Sequence, residues 1–218
     1  MYIKEFPYLS SVEIAALARH SKEISAALSD SEEVIVPDVL GHDHTSISYS
    51  IVDCSSPLSD KLRNFSCTEQ EMIKAGKVLR RIHIAGILHT DYVPHNIFCS
   101  DQKLVVIDAH PPEGIHYKHE LLYGDPQNEI SRFVFALLSN IGLKRTIRHF
   151  DYQSRMVKGF LEGYGKPMYP FSQLLGATLS STKEIYFLKR RARIAPVHAI
   201  AHCALGWVLT CTVLRQSL

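Results

Sequence analysis

The chain has 218 residues, of which 46% are hydrophobic and 21% charged, and its formal net charge is +2. This is the composition of an ordinary globular protein with one good core, or with one small and one medium lobe, and it argues against bulk nucleic-acid binding. The five cysteines show no C-x-x-C spacing, which indicates free thiols in a reducing compartment and excludes a disulfide framework or a cysteine zinc site.

The first third of the chain alternates strand and helix signals. Ser10 to Glu13 has the S-x-x-E form of a capping box, which predicts a helix that continues to Leu28. The polar segment Gly41–His44 is a predicted turn between two strands. The predicted strands of this part are residues 1–6, 34–36 and 46–52.

The remainder of the chain is mainly helical in its pattern. Thr68 is a candidate cap for a helix that runs to about Ala85, because its apolar residues recur at helical spacing. Further helices are predicted at residues 129–138, 151–164 and 184–193, followed by a mostly apolar tail at 196–214. The fold class expected from this order is α+β, with a small sheet region before a helical region.

One motif lies between the Thr68 helix and a predicted hairpin. His89, Asp91 and Asn96 give the pattern H-x-D-x-x-x-x-N, and the apolar run from Leu104 ends in Asp108. Transfer of a phosphoryl group requires this combination, because one Asp orients the attacking hydroxyl while an Asn and a second Asp hold Mg²⁺ on the nucleotide phosphates. The alternative is that these residues are only turn and cap groups, which explains each residue alone but not their joint spacing.

On these residues the chain resembles the protein-kinase-like phosphotransferases, and more closely their small-molecule branch, which includes aminoglycoside and choline-type phosphotransferases and the lipopolysaccharide (Kdo/heptose) kinases. The resemblance is strongest from Glu69 to Asp108 and weaker from there to about Tyr164. Thr90 replaces the glycine of the usual H-G-D, and Asp108-Ala109-His110 stands where protein kinases have Asp-Phe-Gly.

The resemblance implies an α+β, protein-kinase-like fold, with a reduced nucleotide lobe at residues 1–54 and a helical catalytic lobe at 55–218. It implies that Asp91 orients or deprotonates an acceptor hydroxyl, that His89 braces the loop by packing and hydrogen bonding, and that the substrates are ATP and a small molecule, sugar or lipopolysaccharide-type acceptor. The metal ligands expected for Mg²⁺ are Asn96 and Asp108.

Two further residues are assigned to the nucleotide by the same resemblance. Lys4 lies in the first predicted strand and would bind the α/β-phosphates, while Glu13 in the next helix would hold Lys4. The alternative leaves Lys4 as a solvated strand residue and Glu13 as the closing residue of the capping box. Ser50–Cys54 would pass beside the adenine, and an acidic residue, Asp125 or Glu129, would either support the catalytic loop or cap its own helix.

A Gly-rich phosphate loop does not precede Lys4 in this sequence, since only three residues come before it. The nucleotide site is therefore expected to be reduced. Either another element replaces the missing loop, or the start is truncated, or ATP binding is weak. The competing interpretation is a non-catalytic pseudokinase or nucleotide-binding scaffold.

The C-terminal region combines charge with apolar character. The basic run Lys189–Arg193 precedes Ala195–Leu214, a segment without a charged residue. A buried helix is the favoured interpretation, while a membrane segment or peripheral contact with anionic lipid is the alternative. His198 and His202 are four residues apart, but no third ligand is in view for a metal. No signal peptide is recognisable, so a cytoplasmic location is expected, with the inner face of a membrane as the alternative.

Overall fold

The computed structural model describes residues 1–100, 103–110, 125–139, 143–165 and 196–217. In this part of the chain the strands are β1 (Tyr2–Glu5), β2 (Val34–Ile35), β3 (Val39–His42), β4 (Ser46–Tyr49), β5 (Ile97–Ser100) and β6 (Lys103–Val106). The helices are α1 (Ser11–Leu28), α2 (Leu58–Arg63), α3 (Glu69–Ile84), α4 (Pro126–Ser139), α5 (Leu143–Arg148), α6 (Phe150–Tyr164) and α7 (Pro196–Ser217), with a 3-10 turn at Pro94–Asn96. The predicted α+β class is confirmed at this level.

The strands form two three-stranded sheets. The first has the order β1-β4-β3 and is antiparallel throughout, with Lys4 opposite Ile47. The second has the order β2-β6-β5, in which β5 and β6 are the predicted hairpin and β2 runs parallel to β6. The predicted turn at Gly41–His44 was partly wrong, because β3 extends to His42. The chain reverses at Asp43, whose carboxylate accepts hydrogen bonds from backbone N–H groups further along the turn.

The predicted capping box at Ser10 and the predicted cap at Thr68 are confirmed. Ser10 caps α1 and accepts from the Glu13 amide, while the Glu13 carboxylate accepts from the Ser10 amide at 2.7 Å. Thr68 and Glu71 make the same reciprocal pair at the start of α3. Each box satisfies backbone donors that a helix start otherwise leaves unpaired, which explains why these two helices begin where the sequence predicts.

The apolar side chains form a small and a large cluster. The small cluster joins the first sheet to the start of α1 and contains Phe6, Ile14, Leu17, Ala18 and Ile47. The large cluster joins the rest of α1, the second sheet and the helices, and it includes Ile24 and Leu28. Because α1 contributes to both clusters, it connects the first sheet to the remainder of the core.

Helices α3 and α6 make the closest helix contact of the described part. A Cβ atom at Gly76 would overlap the Phe160 carbonyl oxygen, and one at Gly163 would overlap the Ile73 carbonyl oxygen. Glycine at these positions therefore lets the two backbones touch. Phe160 also stacks on Phe133 of α4, with ring centroids 4.1 Å apart.

The C-terminal helix α7 packs on α4, α5 and α6. Gly206 lies against the ring of Phe135, and Cys203 and Thr210 are buried. Among the described helices, none combines the length with the apolar character that a membrane span needs. The predicted helix 184–193, its basic run and the side chains of His198 and His202 lie outside the described residues.

Candidate functional site

The loop from His89 to Asn96 connects α3 to the β5–β6 hairpin. Gly86 ends the α3 region at a φ of 75°, which glycine adopts without steric strain. Tyr92 is fully buried, and its hydroxyl donates to the Ala75 carbonyl oxygen of α3 at 2.7 Å. Pro94 begins the 3-10 turn that leads directly into β5. The loop is therefore fixed at its start, middle and end.

Thr90 has a left-handed backbone conformation, with a φ of 73°. This conformation is unfavourable for a β-branched residue and would be natural for a glycine, which the resembled H-G-D motif has at this position. Two side chains of α4 hold it: the Thr90 amide and the His89 amide both donate to the Glu129 carboxylate, and the Thr90 carbonyl oxygen accepts from Arg132 at 2.9 Å. The surrounding structure thus determines a conformation that Thr90 would not adopt alone.

Asp91 is held at both carboxylate oxygens. Its Oδ1 accepts from Arg132 Nη2 at 2.7 Å, and its Oδ2 accepts from Asn96 Nδ2 at 2.9 Å. The Asn96 amide also donates to the Asp91 carbonyl oxygen at 3.0 Å. No described residue donates to Asn96 Oδ1. The pairing fixes the orientation of Asp91 and leaves the amide oxygen of Asn96 available to a cation.

His89 is fully buried below this loop. Its ring meets the ring of Tyr92 edge-on, with centroids 5.3 Å apart, and neither ring nitrogen has a hydrogen-bond partner among the described residues. Burial lowers the pKa of His89 to about 4, so the imidazole is neutral near neutral pH. The predicted bracing by packing agrees with this geometry. The hydrogen bond that holds His89 comes from its backbone amide, which donates to the Glu129 carboxylate at 3.0 Å.

Asp108 follows β6 and has a φ of 59°. The neighbouring Ile107 amide donates to the Asn96 carbonyl oxygen at 3.1 Å, which joins this position to the end of the His89–Asn96 loop. Lys4 of β1 contacts Asp108, with Nζ 2.8 Å from Oδ1, and His110 Nε2 lies 3.7 Å from the same oxygen. Burial alone would raise the pKa of Asp108, but the neighbouring His110 ring and Lys4 ammonium outweigh it and hold the pKa well below its ordinary value.

Glu13 is not brought to Lys4. Its carboxylate accepts from the amide and hydroxyl of Ser10 at the exposed start of α1, and these hydrogen bonds hold its pKa below the ordinary value. The structure therefore contradicts the pairing of Glu13 with Lys4, and the capping-box interpretation is the correct one. The physical reason is position, because Glu13 lies in the first turn and closes the cap, while the ion-pair partner of Lys4 comes from the end of β6.

A cavity of about 420 Å³ lies between the two sheets and next to this cluster. Ser50–Val52 and Cys54, from the segment after β4, line the cavity together with His89 and Asp108. Most of the remaining walls are apolar and come from Met1, Tyr2, Ile24, Val36, Phe98 and Val105–Ile107. Its size and its mostly apolar walls with a few polar groups are typical of a small-molecule site.

A chain of buried hydrogen bonds supports the loop from α4, α3 and α6. Besides the loop amides, Glu129 contacts His83 Nε2 at 2.8 Å, and His83 Nδ1 lies 2.8 Å from the Tyr164 hydroxyl. Burial alone would raise the pKa of Glu129, but hydrogen bonding from His83 and from the His89 amide holds it below the ordinary value. Of the two acidic candidates, Glu129 therefore supports the loop, whereas Asp125 accepts from the Gln127 amide at the start of α4.

Sequence reasoning missed Arg132 and His83. Arg132 lies three residues after Glu129, so both side chains share one face of α4, and this spacing is a signal that could have identified Arg132. His83 carried no comparable signal, because its partners Glu129 and Tyr164 are 46 and 81 residues away in the sequence.

The groups suited to a divalent cation are oxygen donors. Within the described residues no cluster of three or more His, Cys, Asp or Glu side chains has the form of a metal site. Mg²⁺ does not need one, because it is commonly held by one or two protein oxygens together with phosphate oxygens and water. Asp108 and the amide oxygen of Asn96 fit that requirement.

No family model matches this chain, and no curated protein matches it at a significant level.

Proposed function

We propose that the chain is a kinase-like phosphotransferase that uses ATP and Mg²⁺ and acts on a hydroxyl group of a small molecule, sugar or lipopolysaccharide-type acceptor. The observation that carries the proposal is the ion pair between Lys4 and Asp108, a residue that lines the cavity. A lysine strand and an aspartate after a hairpin are far apart in the sequence, and the kinase-like arrangement brings these two residue types together at the nucleotide phosphates.

The cavity supports the nucleotide part of the proposal. Ser50–Val52 and Cys54, from the segment that the resemblance assigns to the adenine, line the same cavity as Asp108. Lys4 supplies a positive charge for the phosphates. Asp108 and Asn96 would hold Mg²⁺, which neutralises charge on the phosphate oxygens when bound.

Asp91 is the proposed group for the acceptor. Each carboxylate oxygen has two lone pairs, so the hydrogen bonds from Arg132 and Asn96 leave capacity for a hydroxyl proton. As the acceptor oxygen forms its bond to the γ-phosphorus and the bond to the β–γ bridging oxygen breaks, the hydroxyl proton passes to Asp91. The fixed orientation of Asp91 lowers the barrier mainly by positioning.

A non-catalytic nucleotide-binding protein is the second candidate. One observation favours it: both oxygens of Asp91 are already engaged, and Arg132, at 2.7 Å, is a strong charge-assisted partner that an acceptor hydroxyl must share. The two candidates share the nucleotide site and differ only in phosphoryl transfer.

Calorimetry with ATP in the presence of Mg²⁺ or of a chelator tests the nucleotide site. We expect Asp108→Asn to remove the Mg²⁺-dependent part of the affinity, because a carboxylate ligand to a hard cation is lost. Asp60→Asn is the matched control, since Asp60 lies exposed on α2 beside Arg63. Affinity that is indifferent to Mg²⁺ in the wild type would remove both candidates.

Transfer of labelled γ-phosphate to a panel of sugars, sugar lipids and amino alcohols separates the two candidates. Asp91→Asn should reduce transfer by a factor of at least about 100 while ATP affinity stays within a factor of about two, because Asp91 contacts the acceptor and not the nucleotide. ATP binding without transfer to any of these acceptors would favour the non-catalytic protein.

A further inference from the structure

The outer edge of β1 is open in the described part of the chain, because β1 is the last strand of its sheet and pairs there only with β4. The Phe6 amide donates to the Thr45 carbonyl oxygen at 2.7 Å, one residue pair beyond the β1–β4 register. In an antiparallel pair, residues that bond to the neighbouring strand alternate with residues whose N–H and C=O groups point away from it. The even-numbered residues of β1 therefore bond to β4, and Ile3 and Glu5 direct their backbone groups to the open edge.

The side chains along this edge are exposed and mostly apolar. Tyr2 lines the cavity and Lys4 contacts Asp108, which places both on the cavity face of the sheet. Ile3 projects from the opposite face, since neighbouring residues of a strand alternate in direction. Met1, Tyr2 and Ile3 are 70%, 55% and 51% exposed. Contiguous exposed apolar side chains beside open backbone groups are typical of an edge that accepts another strand.

The other edge of this sheet is protected. Among the described strands that edge is β3, whose register with β4 shifts between Val39 and Gly41. An irregularity of this kind twists an edge strand and interrupts its hydrogen-bonding groups. β1 contains no proline, and its register with β4 is continuous from Tyr2 to Glu5. Of the two edges, the edge of β1 is therefore the one that can accept a strand.

We propose that β1 pairs antiparallel with β1 of a second copy of this chain, about a two-fold axis at Ile3. The two three-stranded sheets then join into one continuous sheet. With the axis at this position, Ile3 of each copy exchanges hydrogen bonds with Ile3 of the other, and Glu5 bonds to Met1 of the second copy. Both residues that face the open edge thus obtain partners, and no two like charges lie opposite each other.

The other two-fold registers that satisfy these backbone groups are less favourable. An axis at Lys4 would set two ammonium groups directly opposite each other, and an axis at Glu5 would do the same with two carboxylates. Like charges directly opposite in a sheet are destabilising. An axis at Tyr2 would leave Glu5 beyond the paired segment. The sequence of β1 is therefore complementary to itself in one register, which is the reason for assigning a second copy to this edge.

The pairing adds a residue of the second copy to the cavity face. Tyr2 of the second copy lies directly opposite Lys4, and Cβ atoms of such a pair are about 4.5–5.5 Å apart. An aromatic ring therefore packs against the Lys4 side chain, which reaches Asp108. A role for this ring in nucleotide binding rests on the proposed function, whereas the pairing rests on the edge of β1 alone and does not require ATP.

Sedimentation velocity of the full wild-type chain tests the pairing. β1 is only four residues long, so the contact is small, and we expect a concentration-dependent dimer with a Kd on the order of 10–100 μM. A chain that stays monomeric up to about 500 μM would overturn the proposal, because the edge would then belong to a different partner or to none.

Ile3→Pro tests the edge itself. Proline removes the N–H group that points to the open edge and costs no hydrogen bond within the sheet. We expect the dimer Kd to rise by at least about tenfold, because the central pair of inter-chain hydrogen bonds is lost. Ile84→Ala removes an exposed isoleucine at the end of α3 and should leave the Kd unchanged. A dimer that both variants leave equally stable would overturn the proposal.

Cysteine cross-linking tests the register and does not depend on the proline variant. The background is Cys54→Ser, because Cys54 is an exposed free thiol. Ile3→Cys places two thiols across the axis, with Cα atoms about 5.5 Å apart and within reach of a disulfide. Glu5→Cys is the matched control on the same edge, where the two positions are about 13 Å apart along the strands. We expect Ile3→Cys to form a disulfide-linked dimer at least about tenfold faster, and equal rates would overturn the register.

Discussion

Thr90 shows how one residue can be held in a conformation that its own chemistry disfavours. A left-handed backbone costs an ordinary residue about 1–2 kcal/mol, and a β-branched residue is a particular outlier there. Glu129 accepts from the Thr90 amide, and Arg132 donates to the Thr90 carbonyl oxygen. Both side chains belong to α4, so this helix holds the strained backbone of Thr90 in place. Strain of this kind is concentrated at functional sites in proteins.

We predict that Thr90→Gly leaves the free energy of unfolding unchanged or raises it by up to about 1 kcal/mol. Relief of the backbone strain offsets the lost hydrogen bond from the Thr90 hydroxyl to the His89 carbonyl oxygen and the greater freedom of glycine in the unfolded chain. Thr45→Gly is the control, because Thr45 has no positive φ. This variant should lose about 0.5–1 kcal/mol of unfolding free energy. Urea denaturation measures both, and an equal loss at the two positions would contradict the strain argument.

His89 makes a second prediction at the residue scale, on pH. Its pKa is about 4 in the folded protein against an ordinary value of 6.5, so the unfolded chain binds more protons between these values. The contribution of the neutral His89 ring to the free energy of unfolding is complete above about pH 6.5. It is lost as the pH falls towards 4, by roughly 3 kcal/mol in total. Burial lowers the pKa of His20 as well, which acts in the same direction.

Urea denaturation at about pH 7 and about pH 5 isolates the His89 contribution. His89→Phe should retain the edge-on contact with Tyr92 and lose a large part of the decline in stability between the two pH values. His95→Phe serves as the control, because His95 is exposed in the same loop. A decline as steep in His89→Phe as in the control would show that His89 is not the titrating group.

At the scale of elements, the contact between α3 and α6 depends on glycine. We predict that Gly163→Ala lowers the free energy of unfolding by at least about 2 kcal/mol, because the new methyl overlaps the Ile73 carbonyl oxygen and the two backbones must separate. Gly41→Ala is the matched control, since a Cβ there meets no atom within 4 Å and the substitution should be neutral or slightly stabilising. If both variants lost similar amounts of unfolding free energy, the separation of α6 from α3 would cost no measurable free energy.

The sequence predicted those elements whose signals are local. The capping box at Ser10, the cap at Thr68 and the apolar spacing of α3 identified two helices, and the apolar run from Leu104 to Asp108 indicated the second strand of the hairpin. Helix α2 and strand β3 were not predicted. Both are short, and β3 forms by pairing with β4 through a register irregularity between Val39 and Gly41, which no local pattern encodes.

The part of the candidate site that belongs to a single sequence motif was predictable. His89, Asp91 and Asn96 are close in the sequence and are brought together, and the hairpin delivers Asp108 beside Lys4. The resemblance paired Glu13 with Lys4, and that role was wrong. Glu13 instead makes the local capping contact with Ser10, which its sequence pattern already indicated. Arg132 and His83 act through contacts between distant segments, and a single sequence gives no signal for such contacts beyond helical spacing.

At the scale of the whole molecule, the first sheet would cover the proposed nucleotide site only partly. β1 is an edge strand of its sheet in the described part, and Tyr2 and Ile3 are more than half exposed. Lys4 is therefore the main positive group that this sheet offers to phosphates. We predict weak ATP binding, with a Kd of about 0.1 mM or weaker, which corresponds to about −5.5 kcal/mol or less favourable.

Lys4→Ala should weaken this binding by a further factor of about ten, because a charge-assisted contact with the phosphates is lost. Lys22→Ala removes an exposed lysine of α1 and is the control. Calorimetry with Mg²⁺ and ATP measures both variants. Low-micromolar affinity in the wild type would mean that another segment covers the phosphates, and identical affinities for Lys4→Ala and Lys22→Ala would leave Lys4 without a role in binding.

The distance along the chain between α3 and α6 has a consequence for biosynthesis. The two helices are in contact, yet His83 and its partner Tyr164 are separated by 81 residues. A ribosome adds roughly 5–20 residues per second, so the apolar face of α3 waits about 4–16 s for the helix that covers it. During that interval the nascent chain already contains the complete His89–Asn96 loop, but the hydroxyl of Tyr164 that completes its buried support has not yet been made. A growing chain is therefore most exposed to proteolysis and aggregation after the loop emerges and before α6 does, and pauses in translation within this window would prolong the exposure.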